Sequence, residues 1–290
     1  MRTKPRCIPC LLNRVLYEAE ISTREEKKRG EVLRAALEVI HKEYTGEENS
    51  TRLATKVHRA VYEALNDKDP YKELKKEATR VALSLLPKVG GIVKNSSDRI
   101  EASALISIVG NSLDFGIAGS VQSPDLFAKN FLTLYREGLG YSDLPRVKNL
   151  LKKRGSVLYF ADNCGEIVFD TLLCKEIKRF NPNIRLTLVV RGEPILNDAT
   201  RKDLEGLGFE KVVDEIMDTG CFAIGVDFEC AGKELKEELK RANLIICKGM
   251  ANYEAFSDTS YKPVAYFLRT KCRSIAESMN LPVNINAIKL

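Results

Sequence analysis

The chain has 290 residues, 44% apolar and 30% charged, with a formal net charge of +6, the make-up of a soluble globular protein of one large or two modest domains. No run approaches the ~18 apolar residues that span a bilayer, and the opening Met-Arg-Thr-Lys-Pro-Arg-Cys has no signal-peptide core, so a cytoplasmic chain with no membrane partner is expected. The positive charge is diffuse, aromatics are 7% and Trp is absent; this disfavours a nucleic-acid surface, which wants a basic stripe with stacking rings, and suits a small anionic substrate.

Cys7-Ile8-Pro9-Cys10 opens the first helical pattern, which carries Leu11, Leu12, Val15, Leu16 and Ala19 on one face. Further helices are expected over 24–43, 53–65 and 71–86. Asp67-Lys68-Asp69-Pro70 separates the last two, and Pro87-Lys88-Val89-Gly90-Gly91 ends the fourth. Residues 1–95 thus read as a helical bundle or cap domain. An apolar helix over 102–109 then runs into Gly110-Asn111-Ser112-Leu113-Asp114-Phe115-Gly116, and another helix is expected before residue 153. From there strands at 156–161, 185–190, 211–214, 244–247 and 264–268 alternate with helices near 166–179, 199–207, 232–242 and 272–279. Such alternation implies an α/β domain over 96–290, with a Rossmann-like, mostly parallel sheet and flanking helices.

The strand ends carry the chemistry. Val157 to Ala161 is followed by Asp162-Asn163-Cys164-Gly165-Glu166, where a helix begins. Ligands of open α/β sheets bind outside the carboxyl ends of the strands. A carboxylate and an amide oxygen there can hold a hard cation, and the helix N-terminus behind Gly165 can hold an anion. By itself this turn reads first as an Asp/Asn helix cap, since caps far outnumber metal sites. Two more strands end alike, one in Arg191-Gly192-Glu193-Pro194-Ile195-Leu196-Asn197-Asp198, the other in Lys248-Gly249-Met250-Ala251-Asn252-Tyr253-Glu254. Loop tips of a parallel sheet converge, so the three ends form a constellation and the site reading prevails.

The cysteines leave two readings open. Cys7 and Cys10 have the spacing of a redox pair or half of a Zn site, and the distant Cys272 could join them. No second CxxC or His pair completes a Zn site, and packed free thiols explain the cysteines as well. A cytosolic setting argues against structural disulfides. Both histidines, His41 and His58, sit inside helical patterns and read as surface or packing residues.

Taken together, the Asp162 to Glu166 motif, the Leu196-Asn197-Asp198 loop, the Lys248 to Glu254 motif and the Gly110 to Phe115 segment resemble the damage-control phosphatases, formerly the domain of unknown function 89 proteins. Cys7-Ile8-Pro9-Cys10 with Lys271-Cys272 resembles the CxxC-bearing subfamily of archaea, bacteria and some eukaryotes. The resemblance spans nearly the whole chain. It implies a metal-dependent phosphatase acting on small phosphorylated metabolites, with Mn²⁺ or Ni²⁺ foremost and Co²⁺ or Mg²⁺ as alternatives. It puts the metal ligands on Asp162, Asn163 and Asp198 and the motif lysine on Lys248. For this subfamily it implies damaged purine nucleotides or their biosynthetic intermediates as substrates. The Arg-Thr-x-Lys motif of another subfamily is not reproduced, because Arg269-Thr270-Lys271-Cys272 lacks the final lysine.

On that reading an oxygen-only ligand set favours a hard ion. Lys248 would neutralise charge on the transferring oxygens, and Glu166 or Asp114 would orient or deprotonate the water, unless Glu166 only serves its helix N-terminus. Arg191 would clamp phosphate through its fork of donors, Gly165 and Gly249 would bring backbone close to it, and Asn111, Asn252 and Glu254 would read the rest of the substrate. Direct water attack and a phospho-aspartate at Asp162 both remain open, as does a homo-oligomer. The competing classes are a Rossmann-like nucleotide-binding protein, for which no Gly-x-Gly-x-x-Gly turn exists, and a Zn- or redox-regulated cysteine protein without hydrolase activity.

Overall fold

The computed structural model describes residues 1–111 and 124–290, with the side chains of 124–129 left aside. The expected base Asp114 therefore lies outside the described residues.

Three helices, α1 (Cys7–Ser22), α2 (Glu26–Glu43) and α3 (Ser50–Leu65), come first. Apolar side chains at helical spacing build a core of their own: Val15 and Ala19 meet Val32, Ala36, Val57 and Val61. Ile195, Phe222 and Ile224 from loops of the sheet close that core, so the three helices sit on the strand ends. Helix α3 starts at Asn49, whose side chain accepts from the Thr51 amide, and stops at Asn66 in the left-handed conformation.

The turn into α3 is held by Glu48, whose carboxylate accepts from the Thr45 N–H at 2.9 Å, the Thr45 hydroxyl at 2.8 Å and the Gly46 N–H at 2.8 Å. Partial burial opposes ionisation, but these donors outweigh it and hold the Glu48 carboxyl at about 2. A depressed acid stabilises the fold above its unfolded value and loses that contribution as pH falls through the folded one. Glu48→Gln should therefore lower the thermal midpoint at neutral pH and cost progressively less as pH falls from 4.5 towards about 2, read by melting both chains across pH.

Helix α4 (Lys72–Asn95) corrects an expectation, since it runs through Pro87 without a break. Val81, Ala82 and Leu85 before the proline and Val89 and Val93 after it bury against Val168 and Phe169. Pro87 itself faces solvent, so packing on both sides offsets the roughly 3 kcal/mol that an internal proline costs. Then follow α5 (Arg99–Gly110), α6 (Pro124–Arg136), β1 (Tyr141–Ser142), α7 (Leu144–Leu151), β2 (Gly155–Phe160), α8 (Glu166–Phe180) and β3 (Ile184–Val190). The chain ends with β4 (Glu215–Asp218), α9 (Lys233–Arg241), β5 (Leu244–Lys248), α10 (Gly249–Phe256), β6 (Val264–Arg269), α11 (Arg273–Met279) and β7 (Asn286–Lys289).

The seven strands are ordered β1-β7-β6-β5-β2-β3-β4. All neighbours are parallel except β6 and β7, so the α/β, mostly parallel sheet stands as expected. Strand β2 alternates faces: Val157 and Tyr159 pack with α5, α7 and α8, whereas Leu158 and Phe160 pack with Leu235, Leu239 and Phe256 beyond the other face. The chain leaves β2 on one side to β3 and later returns on the other to β5. The order thus reverses at β2, and the crevice at such a switch point is where open α/β sheets bind ligands.

Several local expectations shift. No strand forms at 211–214, where a 3₁₀ turn (Phe209–Lys211) gives way to irregular backbone, and the edge strand follows at Glu215–Asp218; a short edge strand with acidic ends carries little apolar signal. The helix read at 199–207 shrinks to a 3₁₀ turn at Arg201–Leu204, capped by Thr200 and Asp203. A disulfide joins Cys221 and Cys230, whose Cα atoms are 6.4 Å apart; the loop after β4 folds back on itself and brings together cysteines nine positions apart. Among the described residues no helix is long and apolar enough to cross a membrane.

Candidate active site

The loop after β3 doubles back along the end of β2. Cys164 N donates to Asn197 O at 2.8 Å, Ala199 N to Asp162 O at 2.8 Å and Arg191 N to Ala199 O at 2.9 Å. Backbone pairing of Asn163 with Asp198 therefore sets the two candidate carboxylates side by side, although 36 positions of sequence separate Asp162 from Asp198. Asp162, Asn163 and Asp198 are all buried and all line one cavity of about 340 Å³.

Gly249, at the start of α10, makes room for this arrangement. Its φ is +69°, and a Cβ there would lie 1.8 Å from Asp162 Oδ2. Both facts require glycine. Gly249→Ala should displace the Asp162 carboxylate and strain the backbone, costing about 1–3 kcal/mol and at least about tenfold in phosphatase activity; a chain with unchanged melting and turnover would refute the assignment.

Arg191 is 1% exposed. Its Nε donates to Asp198 Oδ2 at 2.5 Å, one terminal nitrogen to Asn252 Oδ1 at 2.9 Å and the other to Asp162 Oδ1 at 3.4 Å. The guanidinium is thus a strut behind both carboxylates, its fork occupied by protein. Asn252 in turn donates to the Ala161 carbonyl at 3.0 Å and the Lys248 carbonyl at 2.7 Å, and so ties the β2 and β5 ends together.

Lys248 is also turned inward. Its ammonium lies 2.6 Å from Glu166 Oε1 and 2.7 Å from Asp170 Oδ1, with all three side chains fully buried. Burial alone would lower the Lys248 pKa, but Asp170 and Glu166 outweigh it and hold the ammonium above its ordinary value. Asp170 accepts also from Ser107 at 2.5 Å and Tyr159 at 2.8 Å. Asn111 then links the groups, donating to Asp162 Oδ2 at 2.9 Å and Glu166 Oε2 at 2.6 Å, while the Asn163 amide donates to the same two oxygens at 2.8 and 3.0 Å.

Four buried carboxylates (Asp162, Glu166, Asp170, Asp198) thus face two buried cations in this cluster. The imbalance registers in the acids: burial, then the charges of Asp198 and Glu166, push Asp162 well above the carboxylate range against Arg191, and burial pushes Asp170 up against Lys248. Among the described residues no three His, Cys, Asp or Glu side chains form a ready-made metal cluster; the donor set at the cavity is two carboxylates and one amide.

The remaining expected residues divide. Asn111 and Glu254 line the cavity; burial raises the Glu254 carboxyl, with the Ser50 hydroxyl opposing. Gly165, at φ +82°, sits against the Ala78 carbonyl of α4 and gives α8 a close start. Cys7, Cys10 and Cys272 are free and line the same cavity at its helical side, where burial raises Cys10 against Arg14. Sequence reasoning passed over Asp170, Ser107 and Tyr159, which surround Lys248, and Lys271, whose ammonium donates to the Asn111 carbonyl. Asp170 had a signal: it follows Glu166 by four positions, which puts both carboxylates on one face of α8.

An open, mostly parallel sheet carries paired carboxylates at its switch point, over a metabolite-sized cavity with a buried lysine and arginine behind, an arrangement that suits hydrolysis of a small anionic ester. The model of the damage-control phosphatase ARMT1-like domain matches residues 3–284, and the chain belongs to that family. A damage-control phosphatase of Archaeoglobus fulgidus is 40% identical over 98% of this chain and 97% of its own. A second, from Pyrococcus horikoshii, is 26% identical over 97% of this chain and 96% of its own. The crystal structure of a DUF89 family protein from Pyrococcus horikoshii superposes with a TM-score of 0.88, at 26% identity, covering 99% of this chain and 98% of that one.

Proposed function

We propose that this phosphatase hydrolyses phosphate monoesters of small metabolites in a metal-dependent reaction centred on Asp162, Asn163 and Asp198. The observation that carries this reading is the pair of buried carboxylates, Asp162 and Asp198, set side by side with the Asn163 amide at one cavity, an all-oxygen donor set that a divalent cation would fit. Carboxylate and amide oxygens suit Mg²⁺ or Mn²⁺ best, with Ni²⁺ and Co²⁺ as further candidates. When bound there, such an ion supplies Lewis acidity towards a phosphoryl oxygen and acidifies a water.

The chain's own residues do the rest. Arg191 fixes the spacing and orientation of Asp162 and Asp198 from behind. Lys248 holds Glu166 in place through their buried ion pair, and Glu166 Oε2 with Asp162 Oδ2 fixes the Asn111 and Asn163 amides. Lys248 thereby acts on the phosphoryl group through these carboxylates. Residues between Thr3 and His58, most of them on α1 and α3, wall the cavity beside the strand ends and exclude water.

The test is phosphate release from a panel of phosphometabolites, purine nucleotides included, after EDTA treatment and re-addition of each metal. Release restored by metal is expected. A folded chain that hydrolyses nothing with any of the four ions would refute the reading.

A further inference from the structure

The wall of the cavity opposite Asp162 and Asp198 comes from α1 and α3. It is largely apolar, with Ile8, Leu11, Leu53 and Ala54 facing inward, and His58 stands among them. His58 Nδ1 is 2.7 Å from Glu18 Oε2, and the two side chains are only 2% and 0% exposed. Glu18 Oε1 has no hydrogen-bond partner, a cost of about 1–3 kcal/mol in a buried carboxylate. A pair that merely locked α1 to α3 would be matched or bettered by apolar side chains of the same volume. What apolar side chains would not supply is the second ring nitrogen. In the neutral ring with Nδ1–H donated to Glu18, Nε2 carries a lone pair, and this atom has no partner among the described residues.

Gly249, Arg191 and Asn252 pack behind the carboxylates, and α1 and α3 supply one of the walls open to the organic part of an ester whose phosphate sits at Asp162 and Asp198. Helix α3 is seated there by the Tyr62 hydroxyl, one turn beyond His58, which accepts from Leu196 N at 2.9 Å. We propose that His58, held by Glu18, is the specificity-determining residue of this phosphatase, accepting a hydrogen bond from a hydroxyl or N–H of the substrate's organic part between apolar faces. The assignment rests on the phosphatase reading above.

Two substitutions separate this role from a structural one. His58→Asn keeps an amide nitrogen near the Nδ1 position and its bond to Glu18, but removes Nε2. His58→Gln restores a polar atom near Nε2 and gives up the Glu18 bond. The readout is selectivity: kcat/KM for the best of glycerol phosphate, ribose 5-phosphate and the nucleoside monophosphates, divided by that for phenyl phosphate, which carries no donor. His58→Asn should lower this ratio about tenfold, one hydrogen bond's worth, and His58→Gln should keep it within about threefold. The double variant Glu18→Leu/His58→Phe replaces the pair without stranding a charge and should lose selectivity as His58→Asn does. An unchanged ratio in His58→Asn and in the double variant would overturn the proposal, as would loss confined to His58→Gln. A wild-type chain that releases phosphate from no ester would overturn the underlying reading and this inference with it.

Discussion

Asp198→Asn should abolish metal-dependent phosphate release, by about three orders of magnitude, while leaving the fold intact. The magnitude follows from the several kcal/mol that a catalytic ion supplies, at 1.36 kcal/mol per tenfold in rate. The fold survives because Arg191 Nε, now 2.5 Å from Asp198 Oδ2, finds an amide oxygen in the same place. The substitution also removes one of the charges that push Asp162 up, so the metal-free variant should melt no lower than wild type. A ligand that binds only the native state raises its melting temperature; Mn²⁺ should do so in wild type and fail to do so in the variant. Full activity, or an undiminished Mn²⁺ shift, would remove Asp198 from the ligand set.

Lys248→Met should have the largest effect on stability. It strands Glu166 and Asp170 as buried carboxylates, each of which now has the ammonium within 2.7 Å. Breaking a buried ion pair by deleting one partner costs about 3–5 kcal/mol, equivalent to a fall of roughly 6–20 °C in the melting temperature of a chain this size. Lys248→Met/Asp170→Leu, with one less stranded charge, should recover part of it. Activity should fall in both, since Glu166 and the Asn111 amide lose their fixed positions. If Lys248 instead contacted the phosphoryl group directly, Lys248→Met would lose activity with its melting little changed, and calorimetry beside a phosphate-release assay distinguishes the two.

The sequence by itself determined the α/β class, the N-terminal helices and the clustering of Asp162, Asn163, Asp198 and Lys248 at strand ends. Each of these is a local signal. A run such as Val157 to Phe160 has the length and β-branched, aromatic character of a strand buried on both faces, and the polar, glycine-marked residues after it fall where a parallel sheet gathers its loops. The tertiary structure alone decided what those side chains touch. Arg191 and Lys248 looked from the sequence like cations for a phosphate, yet strand order places an acid pair within reach of each, and an unpaired buried carboxylate costs more than a displaced phosphate contact gains. The passage of α4 through Pro87 depends on Val168 and Phe169 of α8, about 80 positions further along the chain. His58 read as a packing residue because nothing near it in sequence is acidic at helical spacing; its partner Glu18 lies 40 positions away on another helix. Periodicity records which face of an element is buried, whereas the pairing of buried charges is set by how distant elements are stacked, and that is written in no single stretch of the chain.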